Sequence, residues 1–209
     1  MNLSSKSQAE VRAEKRAAAA FVNQGVELQD AAGGDSMSGA DAAAALEQAA
    51  SKYREALSVS PGHPEAAYNL ATCLSEKAGL LPVGNAGGLQ GKLVLMAEAR
   101  DLLEGVVTRD TSKRGDTTGL AHQALGNILR DVVDIYREHC PRPRGPAGDE
   151  QACGLGCTDL VGCTQLLDLA CRHLEEAVSI RRQQAGAWAS ASEVLVDWGD
   201  TQARCDHMG

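Results

Sequence analysis

Length, composition and charge narrow the fold and the function of this chain. Of its 209 residues, 44% are hydrophobic but only 3% are aromatic, so a core must be built from Ala, Leu and Val. Such a core favours closely packed helices over a β-sandwich. The net charge of −8 disfavours a nucleic-acid backbone or an anionic membrane as the main partner, because both repel an acidic surface.

The sequence predicts neither a membrane span nor a secretory signal. It has no run of 18 apolar residues, and its first 20 residues lack the apolar stretch of a signal peptide. Glu10 and Glu14 argue against an organelle transit peptide, although import into an organelle stays an alternative. Most of the seven cysteines lie in helical patterns, which favours reduced thiols and a cytoplasmic location.

Two helices are predicted near the N-terminus, after a short flexible segment. Residues 8–30 are rich in Ala, Glu, Lys and Arg, which are good helix formers. The Gly- and Ser-containing segment 31–39 predicts a flexible loop, and a second helix is expected over about 40–59. The inward face of the second helix would carry Ala49, Tyr53 and Ala56, which recur at spacings of four and three.

Two prolines predict a sharp turn into a third helix. Pro61 ends the second helix, because proline has no N–H to donate and its ring clashes one turn back. Pro64 opens the next helix, where the missing N–H costs nothing. The inward face of the third helix would carry Ala67, Leu70, Ala71 and Leu74. Small residues at the expected points of close approach indicate an antiparallel helical hairpin.

The remaining sequence predicts three further helices and a terminal one. The third helix is expected to end near residue 78, and the Gly-rich segment 79–92 to be non-helical. The segment 139–157 is rich in Pro and Gly and predicts a second long insertion. The helices are expected over about 93–109, 118–137, 158–183 and 186–204, followed by a tail, 205–209. Their inward faces would carry Ala99, Leu103, Val106, Leu125, Gly126, Leu129, Ala170, Leu174 and Ala177.

This pattern resembles the tetratricopeptide repeat (TPR) family, in which units of about 34 residues pair a helix A with a helix B. The family places Ala, a large residue and Ala on helix B and a Pro at the end of the unit, as at Ala49, Tyr53, Ala56 and Pro61. The resemblance also places Phe21, Gly25 and Leu28 at the bulky, small and bulky inward positions of the first helix A. Gln24 departs from the family, which usually has Leu at this position. The resemblance implies about three repeats over 8–204, stacked as an all-α right-handed superhelix, an α-solenoid, with insertions between helices A and B.

The resemblance also implies a concave groove lined by the A helices. Its wall would carry Val22, Asn23, Val26, Tyr68, Asn69, Thr72, Gln123, Asn127 and Arg130. A strip rich in amides, with one Tyr and one Arg, suits a peptide or helix of a partner protein held by its backbone. We therefore expect a non-catalytic adaptor or assembly scaffold, with further assembly through the terminal helix around Trp188 and Trp198, unless the chain is a piece of a longer array.

A co-chaperone-like receptor is one alternative within the same family. TPR co-chaperones grip the C-terminal acid of heat-shock chaperones with Lys and Asn on the first A helix, Asn on the second, and Lys and Arg on the third. Of these five positions, only one carries the family's residue, Asn69. The other four are occupied by Val22, Val26, Leu120 and Ala124. Without those cations a terminal carboxylate gains little, which disfavours this receptor.

A zinc-binding helical module is the other alternative. Cys140, Cys153, Cys157 and Cys163, beside His139, form the one potential metal cluster of the sequence, but only the Cys153–Cys157 spacing is typical of zinc ligands. We therefore expect no metal or other cofactor. No Ser–His–acid or Cys–His arrangement can be argued, so we expect no enzyme. A helical repeat that binds nucleic acid would need a basic inner strip, which the groove lacks.

Overall fold

All regular structure in the described part of the chain is helical. The computed structural model describes residues 7–34, 37–109, 116–139 and 160–183. Its elements are α1 (Gln8–Ala32), α2 (Gly39–Val59), α3 (Pro64–Leu80), α4 (Ala86–Arg109), α5 (Asp116–His139) and α6 (Leu160–Gln183). The predicted all-α class is therefore confirmed for these ranges. None of these helices combines the length and the hydropathy that a bilayer crossing requires.

The chain divides into two compact units, Met1–Leu102 and Leu103–Gly209, with the boundary inside α4. The predicted terminal helix over 186–204 lies outside the described residues, as does nearly all of the predicted insertion 139–157. In the first unit α1 packs along α2, α2 packs against α3, and α1 also touches α3. In the second unit α5 packs against α6.

Side-chain caps fix the start of the first two helices. Ser7 and Glu10 form a reciprocal capping box at α1: Ser7 Oγ accepts from the Glu10 N–H at 3.2 Å, and Glu10 Oε2 accepts from the Ser7 N–H at 2.7 Å. At α2, Ser38 Oγ accepts from the Asp41 N–H at 3.2 Å. These bonds satisfy backbone donors that have no partner inside the helix, and so they set where each helix begins.

The core of the first unit consists of the predicted inward faces. Ala49, Tyr53 and Ala56 are fully buried, and the predicted residues of α3 are between 0% and 5% exposed. Phe21 and Leu28 are only half-buried on α1, where Gly25 is buried. One expectation is wrong: Val22, placed on the exposed groove wall, is 6% exposed because α1 turns this residue into the interior together with Ala18 and Gly25.

A glycine allows α1 to lie close to α2. A Cβ added at Gly25 would stand 2.5 Å from Tyr53 Cε1 and 2.8 Å from Cδ1 and Cζ of the same ring. Real Cβ atoms essentially never come that close, so only glycine fits while the ring stays in place. The tyrosine ring thus occupies the volume that a side chain on α1 would need.

The expectation that 79–92 is non-helical is wrong for residues 79–80, which belong to α3, and for residues 86–92. The helix α4 begins at Ala86, so only Leu81–Asn85 separate it from α3. Asn85 acts as its N-terminal cap, with Oδ1 accepting from the Gly88 N–H at 2.7 Å. A Cβ at Gly88 would collide with the carbonyl oxygen of Pro82, so this glycine permits the tight entry into the helix.

The second unit repeats the close approach with different residues. A Cβ at Gly126 of α5 would stand 2.5 Å from Leu174 Cγ on α6. Further along α5, Val133 clusters with Cys163 and Leu167, which precede Leu174 on α6. The contacts therefore run in opposite order along the two helices, and α5 and α6 are antiparallel. The predicted inward residues Leu125, Leu129, Ala170, Leu174 and Ala177 are all buried.

Truncation of a core leucine tests the assignment of the inward face of α3. Leu70 is 2% exposed, so we expect Leu70→Ala to lower the free energy of unfolding by about 2–5 kcal/mol through lost burial and a cavity. Urea denaturation followed by circular dichroism measures it. Val94, which is 55% exposed, provides the control, and Val94→Ala should change stability by less than about 0.5 kcal/mol. Equal stability of the two variants would contradict the assignment.

A pair of glycine substitutions tests the close approach of α1 to α2. Gly25→Ala should lower the free energy of unfolding by about 1–3 kcal/mol, because the methyl group overlaps the buried Tyr53 ring. Gly105→Ala in α4 meets nothing within 4 Å and should raise stability by about 0.5–1 kcal/mol through the better helix propensity of alanine. Opposite signs in parallel thermal melts are expected, and a stabilising Gly25→Ala would overturn the packing argument.

Candidate functional site

The predicted groove residues of the first unit lie on two neighbouring helices. We define the α1–α3 face as Asn23 and Val26 of α1 with Tyr68, Asn69 and Thr72 of α3. The two helices are in contact, and Gln29 Nε2 on α1 donates to Glu76 Oε1 on α3 at 2.8 Å. Residues from sequence segments more than 40 positions apart are therefore carried by adjacent helices.

The side chains of the α1–α3 face differ in how much solvent they meet. Asn23 is exposed and Val26 is 37% exposed, whereas Tyr68, Asn69 and Thr72 are half-buried. The Thr72 hydroxyl donates to the Asn69 carbonyl oxygen at 3.0 Å, so it is occupied within α3. The face thus offers an exposed apolar side chain on α1 and amide side chains on both helices. Such a mixture suits a polypeptide more than a small charged ligand.

A chain of hydrogen bonds ties the three helices together beside this face. The Tyr53 hydroxyl on α2 donates to Gln29 Oε1 at 2.8 Å, and the Gln29 amide donates onward to Glu76. Burial raises the pKa of the Tyr53 phenol most, and the nearby Glu76 and Asp30 carboxylates, together with Cys73 once it is ionised, contribute to the same increase. The phenol therefore stays protonated as a donor. The bond chain fixes α1 and α3 relative to α2.

Cys73 is the buried thiol of this unit, and its surroundings make it unreactive. The pKa of the Cys73 thiol is raised to about 11, mainly by burial and to a lesser degree by the Glu76 carboxylate. The thiol donates to the Leu46 carbonyl oxygen across α2 and α3, with the sulfur 3.2 Å from the oxygen. Because the thiolate is the nucleophilic form, a protonated and fully buried thiol is a packing group.

Ion pairs connect α2 to α3 and α4 on the surface of the first unit. Glu47 pairs with Lys77 of α3, and Arg54 pairs with Glu98 of α4 at 3.0 Å. The hydrogen bond from Lys77 lowers the pKa of the Glu47 carboxyl, although that side chain is 57% exposed. Exposed pairs of this kind contribute little to stability. The pair with Glu47 nevertheless engages Lys77, which is the basic residue in the last turn of α3.

The remaining predicted groove residues belong to the second unit. Gln123, Asn127 and Arg130 recur at spacings of four and three on α5 and are half-buried. Arg130 lies 3.6 Å from Asp131 in an ion pair. These three residues share one side of α5, as helical spacing requires.

Of the four candidate metal-ligating cysteines, the described residues include only Cys163. It is 6% exposed and packs with Val133 and Leu167, against which Tyr136 and Leu166 also lie. The other three candidates, Cys140, Cys153 and Cys157, lie outside the described residues. Among the described residues, no group of three or more His, Cys, Asp or Glu side chains is arranged to hold a metal ion.

The sequence did not predict the histidine pair that lies between α5 and α6. His122 Nδ1 lies 2.9 Å from His173 Nδ1, and the ring centroids are 5.1 Å apart at an interplanar angle of 42°. His122 is 6% exposed, and His173 is half-buried. One signal was present: His122 stands three residues before the predicted inward residue Leu125, and this spacing places both on one side of α5.

The environment of the pair keeps His173 neutral. The pKa of His173 is lowered to about 4, mainly by burial and to a lesser degree by the nearby His122 and Arg172. Arg172 is exposed, and its Nε donates to the Asp168 carbonyl oxygen at 3.4 Å in the preceding turn. At neutral pH one Nδ1–H of the pair can therefore donate to the other Nδ1.

The sequence matches no protein-family model and no curated protein. The function must therefore be argued from the residues themselves.

Acidification tests the histidine pair. Since the pKa of His173 is about 4 in the folded chain against 6.5 for an ordinary histidine, the unfolded chain binds more protons between these values. The pair should therefore lose stability as the pH falls from about 6.5 towards 4. Urea denaturation at pH 7 and at pH 5 measures this loss. His173→Asn, which lacks the titrating ring, should lose less stability over the same interval; equal losses would contradict the assignment.

Proposed function

We propose that this chain is a TPR-like adaptor or assembly scaffold that binds a segment of a partner protein on its A helices. The observation that supports it is the contact between α1 and α3, with α2 packed against both. In a TPR array, helix A of one repeat stands beside helix A of the next, and helix B lies behind them. The pairing of Gly25 with Tyr53 and the buried Ala49 and Ala56 agree with the positions that the family reserves for packing.

The proposed mechanism is equilibrium binding without chemistry. A partner peptide or helix would lie over the α1–α3 face, contacting Val26 with an apolar side chain and the amide of Asn23 with its backbone. The hydrogen bonds from Tyr53 through Gln29 to Glu76 hold the two helices in place, so little ordering entropy is lost when the partner binds. The proposal further includes a right-handed superhelix, a groove that continues over α5, and a cytoplasmic location.

A receptor for a chaperone's terminal carboxylate has less support. Val22 stands where the co-chaperones carry a cation, and its side chain is buried. A lysine placed there would have to leave the core to reach a ligand. We therefore favour a partner that is recognised within its sequence, by apolar contacts and backbone hydrogen bonds.

Substitutions on the α1–α3 face test the proposal. Affinity capture with the unmodified chain, followed by mass spectrometry, identifies partners, and the dissociation constant is then measured with the purified partner. Tyr68→Ala combined with Asn69→Ala should weaken binding tenfold or more, which corresponds to about 1.4 kcal/mol or more. The melting temperature should change little because neither side chain belongs to the buried core.

Two further variants separate a binding effect from a folding effect. Val26→Glu places a charge at an exposed position of α1 and should weaken the same partner without lowering the melting temperature. Gln48→Ala combined with Ser51→Ala changes exposed residues of α2 and should leave the affinity unchanged. If the α2 variant weakened binding as much as the α1–α3 variants, the partner would not sit on the proposed face.

A further inference from the structure

The contact between His122 and His173 places two polar rings in an apolar helix seam. Their neighbours along the two helices, Leu125 and Leu174, are fully buried, and Gly126 brings the helices together one turn further on. Burying polar groups in such a seam costs free energy unless they find partners, and here the two Nδ1 atoms face each other. This juxtaposition of two ligand-type nitrogens between two helices is the observation from which the inference starts.

The distance between the rings suits a shared metal ion. Imidazole nitrogen is a common ligand of Zn²⁺, Cu²⁺ and Ni²⁺, and Zn–N bonds measure about 2.0–2.1 Å. Two nitrogens on a tetrahedral zinc ion are therefore about 3.3 Å apart. The two Nδ1 atoms are now 2.9 Å apart, so a small rotation of the rings would admit an ion between them.

The hydrogen bond between the rings favours a ligand role as well. A metal ligand must offer a lone pair, and the Nδ1 that accepts this bond already holds one. On binding, the proton of the donating Nδ1 would move to Nε2 of the same ring, which gives that Nδ1 a lone pair too. The Arg172 cation on α6 opposes a bound ion, but its guanidinium is exposed and bonded to the preceding turn.

We propose that His122 and His173 form a metal site that clamps α5 to α6 by binding one divalent d-block cation, such as Zn²⁺, through their two Nδ1 atoms. Within the described residues, no third His, Cys, Asp or Glu completes the group, so water fills the other positions beside the half-buried His173. A site with two protein ligands exchanges its ion readily. The stability of the second unit then follows the concentration of free metal, because an ion that binds only the folded state stabilises it by mass action.

Nuclear magnetic resonance of the imidazole nitrogens tests the site on the unmodified full-length chain. The probe is ZnCl₂, titrated at pH 7 under reducing conditions. We expect the Nδ1 resonances of His122 and His173 to move together and saturate at one equivalent, while both Nε2 atoms carry protons. Imidazole resonances that stay unchanged while zinc binds elsewhere, for example at the cysteines, would overturn the proposal.

Thermal melts supply an independent readout with matched variants. The melting temperature of the unmodified chain should rise with ZnCl₂ and return after chelation with EDTA. His173→Asn keeps a hydrogen-bonding amide near the position of Nδ1 but is a poor zinc ligand, so it should lose most of this rise. His63→Asn, which retains a side-chain acceptor at the N-terminal cap of α3, should keep it. An equal zinc-dependent rise in the two variants would exclude the pair as the site.

Discussion

The absence of a side chain at Gly25 is the constraint on which the first unit depends. The ring of Tyr53 fills the space where a Cβ would stand, so α1 lies against α2 at a distance that no other residue permits. At this distance the Tyr53 hydroxyl reaches Gln29, and Gln29 in turn reaches Glu76 of α3. The close approach at Gly25 therefore supports the contact between the two helices that form the proposed binding face.

The second unit uses the same device, with Gly126 against Leu174, but its polar contact is of another kind. In the first unit the buried polar groups are held in one protonation state: Tyr53 and Cys73 are protonated, and each donates to a fixed acceptor. The neutral ring of His173 instead keeps a nitrogen lone pair and takes up a proton only as the pH falls towards 4. The two units therefore share a mode of helix packing but differ in whether their buried polar groups can change protonation state.

Much of the fold could be predicted from the sequence, because burial follows helical periodicity. The inward positions of α2 and α3 were predicted from spacing alone, and all of them are buried. The start of α4 was not predicted: the glycines after Asn85 suggested a loop, whereas the Asn85 cap and the carbonyl of Pro82 select those glycines for a tight helix entry. Composition gives no information about such a local fit.

The candidate site was predictable only in part. The five residues of the α1–α3 face could be named from the repeat pattern, and the structure places them on two adjacent helices. Val22 was misplaced because a one-position difference on a helix separates the wall from the interior. Helical spacing places His122 on the inward side of α5, but the sequence does not show that His173, 51 positions later, lies against it.

The burial of Tyr53 also limits its access to modifying enzymes. The Tyr53 side chain is wholly enclosed, and its hydroxyl is committed to Gln29. A kinase could therefore phosphorylate Tyr53 only after α1 had separated from α2, and the added phosphate would then prevent the two helices from closing again.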